Sequence, residues 1–423
     1  MIDIKHLREN PKFYRDSALA KGLEIDTERI LELDRRVRAL KTELEGIKAQ
    51  KNDASNAIAK ASAEERQRII ESMQMIDRKA EALESEYNPL AEELNDLLYK
   101  IPNPALADVK VGKSEADNEV VREVGNRTTF DFDARDHLEL GEMLGIIDTE
   151  RAAKVSGARF AYLIGAGAWL EFALMQYAVS VAVKHGFMPA TVPHLVSTRV
   201  MRAMGYLEHG GHDEIYFLPK DNLYLIGTAE QSLGAIHLDE VLDSETLPRR
   251  YVGFSPCYRR EAGSYGKDTR GILRVHQFTK VEMFSFTTPE TSEAEHELLL
   301  NIEEELMQGL GIPYRVIKQC TGDLGLPAAR KFDIEAWLPS QNTYRETHST
   351  STCTDYQSRR LNTRYKGADG NMKFVHTLNG TAFAIGRTLV AILENFQLQD
   401  GSVVIPEVLV PFFGGQTILK SLK

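Results

Sequence analysis

Cysteine is nearly missing from this chain: three residues in 423, Cys257, Cys320 and Cys353, odd in number and far apart. That excludes a disulfide framework and a clustered zinc site, so no zinc is expected, and it suits a reducing compartment. A secretory leader is also lacking, because charge interrupts every apolar run in residues 1–10. No apolar stretch approaches the roughly 20 residues needed to span a bilayer. The expectation is therefore a cytoplasmic protein with no membrane partner. Positive charge is not in excess either. The net charge of −11 excludes a globally basic nucleic-acid binder, though local basic faces can still meet phosphates. What is present is 43% hydrophobic and 27% charged residues, the balance of a water-soluble globular chain of two or three domains.

The strongest periodic signal is a heptad. Ile30, Leu33, Val37, Leu40, Leu44 and Ile47 alternate spacings of three and four, as do Ile69, Met73, Ile76, Ala80, Leu83, Tyr87, Leu90, Leu94 and Leu97. Each series gives a narrow apolar seam that wants a partner helix. The polar, alanine-rich stretch 51–63 carries no seam. The pattern predicts an antiparallel coiled-coil hairpin over residues 27–100, its first helix about 50 Å long and the polar stretch as its tip. Pro89 is placed to kink the returning helix. Arg35, Arg38, Lys41 and Lys48 lie off the seam beside Glu32, Glu43 and Glu45. Those cations either meet phosphates or only solvate the exterior, and such a hairpin can equally dimerise a protein or space its domains.

Pro102 and Pro104 stop the hairpin, and the acidic stretch after them reads as irregular. The organisation expected is an N-terminal domain over 1–105, a linker over 106–130 and a larger domain over 131–423. In the larger domain, residues 168–184 are apolar at helical spacing with Gly186 placed to end the helix. Residues 187–193 read as a short strand. Residues 252–261 and 274–286 read as paired antiparallel strands around a glycine-rich loop, 262–271, longer than a turn requires. This hairpin brings Arg259, Glu261, Phe278 and Glu282 together. An arginine fork grips phosphate or carboxylate, an aromatic face stacks a base, and a carboxylate takes a hydroxyl or ammonium. A sheet face laced with Arg–Glu pairs fits the same residues, and the hairpin alone leaves both readings open.

Cys257-Tyr258-Arg259-Arg260-Glu261-Ala262-Gly263, the loop and His276-Gln277-Phe278 resemble motif 2 of the class II aminoacyl-tRNA synthetases, most closely the bacterial-type seryl enzymes. The segment ending at Pro193 resembles motif 1, and residues 377–388 resemble motif 3. Thr228-Ala229-Glu230 is similar to the family's serine-pocket motif and Asn342-Thr343-Tyr344-Arg345-Glu346 to its metal-binding stretch. Five motifs in the family's order, with the arm in front, span essentially the whole chain. His348 and Thr381 depart from the common serines without removing a charged group, and the signatures of the class I fold are missing.

The resemblance implies an α+β chain: an antiparallel-sheet catalytic domain preceded by the all-α arm. It implies activation of L-serine by ATP to seryl-adenylate, then transfer to the 3′ end of tRNA(Ser), and of tRNA(Sec) where present. Arg259, Glu261 and Arg387 are the implied catalytic residues. Thr228, Ala229, Glu230, Glu282, Asn379 and Thr381 are implied for serine. For ATP they are Arg259, Arg260, Glu261, Val275, Phe278, Glu346, Thr347, His348, Ser349 and Arg387, with Mg²⁺ on Glu346 and Ser349. Arg35, Arg38, Lys41, Lys48 and Arg270 are implied for tRNA, and motif 1 implies a homodimer. Cys353 is expected to pack rather than act as a nucleophile, and His276 needs no special role. A non-catalytic relative that binds RNA or protein through the arm, and a ligase with another acceptor, are the competing expectations.

Overall fold

The computed structural model describes residues 1–58, 62–262 and 270–421, in two compact units, residues 2–102 and 103–423, the latter joined by Met1. In the first unit, α1 (Ile4–Glu9) and α2 (Pro11–Ala20) lead into α3 (Thr27–Ile58) and α4 (Ala63–Lys100). The seams close on each other: Ile30, Leu33, Leu40 and Ile47 are buried on α3, and Ala80 and Leu94 on α4. Three ion pairs, Arg29–Glu93, Arg36–Glu86 and Lys51–Asp77, climb α3 while descending α4, which makes the hairpin antiparallel. The tip is shorter than the seam pattern predicts. Good helix formers and the Lys51–Asp77 bridge carry α3 on to Ile58, and a capping box of Ser62 and Glu65 starts α4. Residues 59–61 of the expected tip lie outside the described residues. Helix α4 continues through Pro89.

The second unit is built on one eight-stranded sheet. Its strands are β1 (Glu119–Val124), β2 (Met188–Thr191), β3 (Arg249–Tyr258), β4 (Gln277–Thr287), β5 (Tyr314–Lys318), β6 (Arg330–Leu338), β7 (Thr343–Thr354) and β8 (His376–Ala384). Their spatial order is β1-β5-β6-β7-β8-β4-β3-β2, antiparallel throughout except for β2 beside β3. Three helices, α5 (Ala166–Lys184), α6 (Ser292–Leu310) and α7 (Ile385–Asn395), pack Leu170, Leu174, Leu299, Leu306, Leu389 and Ile392 into one core with Val281 and Met283 of β4. Phe284 and Phe286 of the same strand join a separate core with Met201, Met204 and Leu233. The two-residue period of β4 thus sends odd positions to the helices and even ones to the other side, where Lys280 and Glu282 also lie.

Three expectations need correction. The stretch 106–130 is not merely a linker, because β1 lies within it and pairs along β5. Val120, Val121 and Val124 give it strand character at the sheet edge, where one side stays exposed. Helix α5 is long and apolar enough to cross a membrane by length and composition, contrary to the sequence reading. It serves as a core helix, with Leu170, Ala173, Leu174, Ala178 and Val181 buried on one side. Finally, β3 ends at Tyr258, so Arg259, Arg260 and Glu261 project from the mouth of the hairpin rather than from a strand. Glu261 has a φ of +52°, which turns the chain out of the sheet. Residues 263–269 of the glycine-rich loop lie outside the described residues.

Candidate active site

On the even-residue side of β4, a cavity of about 700 Å³ opens over the sheet. Thr228, Glu230, Arg259, Glu261, Glu282, Glu346, Ser349 and Asn379 line it. A recess of about 70 Å³ continues from it between Phe278, Val275, Thr347, His348, Thr381 and Arg387, sharing Arg259, Glu261, Glu346 and Ser349. Residues from five separated stretches of sequence therefore converge on one site.

Glu282 is 1% exposed at the floor, with Lys280 Nζ 2.5 Å from its Oε2 and Thr381 Oγ1 donating to that oxygen at 3.4 Å. Burial pushes the Glu282 carboxyl above its ordinary range and Glu230 adds to the push, while Lys280 and Arg259 oppose it. Glu230 is fixed in place: it accepts hydrogen bonds from Tyr206 Oη at 2.7 Å and Gln357 Nε2 at 2.9 Å. Its own N–H donates to Thr228 Oγ1 at 3.2 Å. Thr228, Glu230 and Glu282 thus line the cavity together, and Thr381 of the adjoining recess is bonded to Glu282.

Arg259 donates from Nε to the Gly227 carbonyl at 3.2 Å and lays its guanidinium 5.2 Å over the Phe278 ring. His276, for which no special role was needed, clamps the Arg259 backbone: Arg259 N–H donates to its carbonyl, and its Nδ1 lies 3.0 Å from the Arg259 carbonyl oxygen. Glu261 accepts from Arg274 Nη1 at 2.7 Å. Arg387, on the first turn of α7, meets Glu346 Oε2 at 3.2 Å. Desolvation alone would raise the Glu346 carboxyl, but Arg387, Lys331 and Arg259 outweigh it and hold the group well below the usual carboxylate range. Two carboxylates in one cavity are thus pushed in opposite directions, Glu346 towards the anion and Glu282 towards the neutral acid. Burial also lowers His348 to about 3, so its imidazole is neutral at physiological pH.

Two of the implied site residues point elsewhere. Ala229 is fully buried in the core of Met201 and Leu233, and only its flanking residues reach the cavity. Arg260 turns away, donating to the Ile215 carbonyl at 3.1 Å and stacking 4.8 Å over Tyr216. Cys353, expected to pack, is buried but lines the cavity, with Asn379 Nδ2 3.9 Å from its sulfur. Sequence reasoning missed Tyr206, Arg274, Lys280 and Lys331 of the cavity wall. Lys280 alone carried a signal, because a two-residue period places it beside Glu282.

On the arm, Arg35, Arg38, Lys41 and Lys48 are exposed, and Arg38 Nε donates to Asp34 at 3.0 Å. Arg270 is exposed beside the undescribed part of the loop.

An eight-stranded, mostly antiparallel sheet carrying these residues is the core of a class II aminoacyl-tRNA synthetase. The family described as tRNA synthetase class II core domain (G, H, P, S and T) matches residues 217–396, and the seryl-tRNA synthetase N-terminal domain matches residues 1–105. The serine–tRNA ligase of Thermobifida fusca is 51% identical, with 98% of each chain covered. Among solved structures, the seryl-tRNA synthetase of Pyrococcus horikoshii complexed with ATP has a TM-score of 0.90 at 38% identity, each chain fully covered. The cytoplasmic serine–tRNA ligase of Naegleria fowleri in complex with AMP has a TM-score of 0.86 at 35% identity, covering 100% of this chain and 99% of that one. The chain belongs to the seryl-tRNA synthetase family.

Proposed function

We propose that this chain joins L-serine to ATP, releasing pyrophosphate, and passes the seryl group to the 3′ end of tRNA(Ser), and of tRNA(Sec) where that exists. The observation that carries the residue assignment is the floor of the cavity, where Lys280, Glu282 and Thr381 form a buried polar patch. Glu282 and Thr381 receive the serine hydroxyl, and Thr228 and Glu230 its ammonium, with Asn379 supporting the wall. A buried carboxylate that awaits a hydroxyl rejects alanine, because leaving it unpaired is costly.

Activation is an in-line displacement at the α-phosphorus, so the chain's work is positioning and charge neutralisation. Arg259 bridges the serine carboxylate and the α-phosphate. Adenine stacks on Phe278, with Glu261 and the Val275 backbone at its edge. Since the guanidinium of Arg259 covers Phe278, ATP entry moves it off the ring and towards the phosphate. Arg387 covers adenine's other face or holds the γ-phosphate. Thr347 and His348 wall the recess. Glu346, kept anionic by its neighbours, and Ser349 are oxygen donors that suit Mg²⁺, which supplies charge neutralisation between phosphates when bound.

The arm grips the tRNA through Arg35, Lys41 and Lys48, and through Arg38 once it leaves Asp34, with Arg270 contacting tRNA at the catalytic domain. A homodimer forms over α5, whose outer side exposes Trp169, Phe172 and Val183. Work in translation places the enzyme in the cytoplasm. The test is ATP–pyrophosphate exchange with each amino acid, followed by charging of total tRNA. Serine alone should support both. Exchange without charging would mean another acceptor, and no exchange would mean a binding module.

A further inference from the structure

Directly behind the hydroxyl subsite, on the helix side of the sheet, lies a carboxyl that the proposed chemistry does not use. Glu303 of α6 is 0% exposed, and neither of its oxygens closes a full hydrogen bond. It reaches the sheet at Gly380 of β8, where an added Cβ would come within 3.1 Å of Glu303 Oε1. There it interacts with the backbone amide of Thr381.

That amide belongs to an irregular place in the ladder. Val281 pairs with Phe383 but its neighbour Glu282 pairs with Thr381, so Ala382 is an extra residue in β8. Such a bulge leaves backbone groups without a strand partner and re-aims the side chains beside it. Here the re-aimed residues are Glu282 and Thr381, the pair that faces the hydroxyl subsite. Buried side chains lie against the bulge at either end: Glu303 Oε1 beside Gly380, and the His348 ring 5.5 Å from the ring of Phe383, centroid to centroid.

We propose that Glu303 is a positioning residue for serine recognition: a buried carboxyl that holds the Ala382 bulge and so aims Glu282 and Thr381 at the substrate hydroxyl. The inference rests on the assignment of Glu282 to that hydroxyl. An ionised carboxyl here would be buried close to Glu282, a costly arrangement, and burial together with Glu282 and Asp333 drives it towards the protonated form against the opposing pull of Lys331 and the Thr381 amide. A neutral acid can accept the Thr381 N–H through its carbonyl oxygen without adding charge beneath Glu282. The role is a matter of geometry and does not depend on proton transfer to substrate.

The test compares Glu303→Ala, Glu303→Gln and Glu282→Ala in ATP–pyrophosphate exchange by the full-length enzyme, with Glu303→Met in reserve should the alanine variant fail to fold. Glu303→Ala should raise KM for serine about tenfold and leave KM for ATP within about twofold. Glu303→Gln, which keeps a neutral acceptor of the same shape, should restore KM for serine to within about threefold. Unchanged KM for serine in Glu303→Ala, or a glutamine variant as impaired as the alanine one, overturns the proposal. If Glu282→Ala is impaired while Glu303→Ala is normal, only the role of Glu303 falls. If Glu282→Ala itself is normal, the hydroxyl assignment falls and this proposal with it.

Discussion

Lys280 Nζ lies 2.5 Å from Glu282 Oε2, both side chains buried on the same side of one strand at the floor of the cavity. The ammonium is what lets a carboxylate at this depth remain a useful acceptor, since burial alone drives Glu282 towards its neutral form. Removing one member of a buried pair strands the other. Lys280→Met should therefore lower stability by about 3 kcal/mol. It should also move the acid limb of serine-dependent exchange to higher pH. Urea denaturation and a pH profile of kcat/KM check the two effects, and an unmoved acid limb would detach Lys280 from the function of Glu282.

Glu303 makes a separate claim on stability. Its folded pKa lies well above the unfolded value, so the folded state holds a proton that the unfolded state loses as pH rises past about 4.3. Stability is thus lost with rising pH from that point, at no more than about 1.4 kcal/mol per pH unit, until the folded group itself ionises. Glu303→Gln removes this term. The variant should gain stability relative to the parent as pH rises from 5 to 8, and a constant difference would mean that Glu303 is already ionised in the fold.

Glu346 has the opposite sign. Arg387, Lys331 and Arg259 depress its pKa, so its favourable pairing is complete above the unfolded carboxylate range and is lost only as pH falls through the depressed value. Glu346→Gln should reduce thermal stability at pH 7, with the difference shrinking below about pH 4. It should also raise the Mg²⁺ concentration needed for half-maximal exchange about tenfold. Titration of exchange activity with Mg²⁺ measures this directly.

The arm carries exposed cations, and the residues that line the cavity run from Gly205 to Asn379. Reversing Arg35, Lys41 and Lys48 together to glutamate should leave serine activation intact. KM for tRNA in charging should rise at least about tenfold, and the salt dependence of charging should become shallower as phosphate contacts are lost. Deleting residues 52–68 should act in the same direction. Equal loss of activation and charging would return the hairpin to a purely structural role.

Sequence patterns reached the arm almost completely, because a heptad seam is a local, one-dimensional signal and both halves of the hairpin carry it. The tip was misjudged because alanine-rich polar residues lack a seam yet still form helix. In the catalytic unit, Thr228, Glu230, Arg259, Glu261, Glu282, Glu346, Ser349 and Asn379 line one cavity. Arg260 does not, since an arginine one residue past a strand end can turn either way and Tyr216 captures it. Arg274 and Tyr206 were missed because their partners, Glu261 and Glu230, are brought to them only by the fold, whereas the two-residue period sets Lys280 on the face of Glu282 without showing that the two side chains pair. Glu303 was the least legible. It stands in a run with Glu304 and Glu305; only the fold shows that Glu304 meets Arg122 and Tyr314, Glu305 meets His185, and Glu303 is buried with no such partner.

If Glu282 reads the serine hydroxyl, ATP–pyrophosphate exchange by Glu282→Ala, with serine and alanine compared side by side, will show it. The variant should fold, with kcat/KM for serine lowered at least about 100-fold, roughly 3 kcal/mol. Its preference for serine over alanine should largely disappear. Near-normal serine exchange with the preference intact would contradict it.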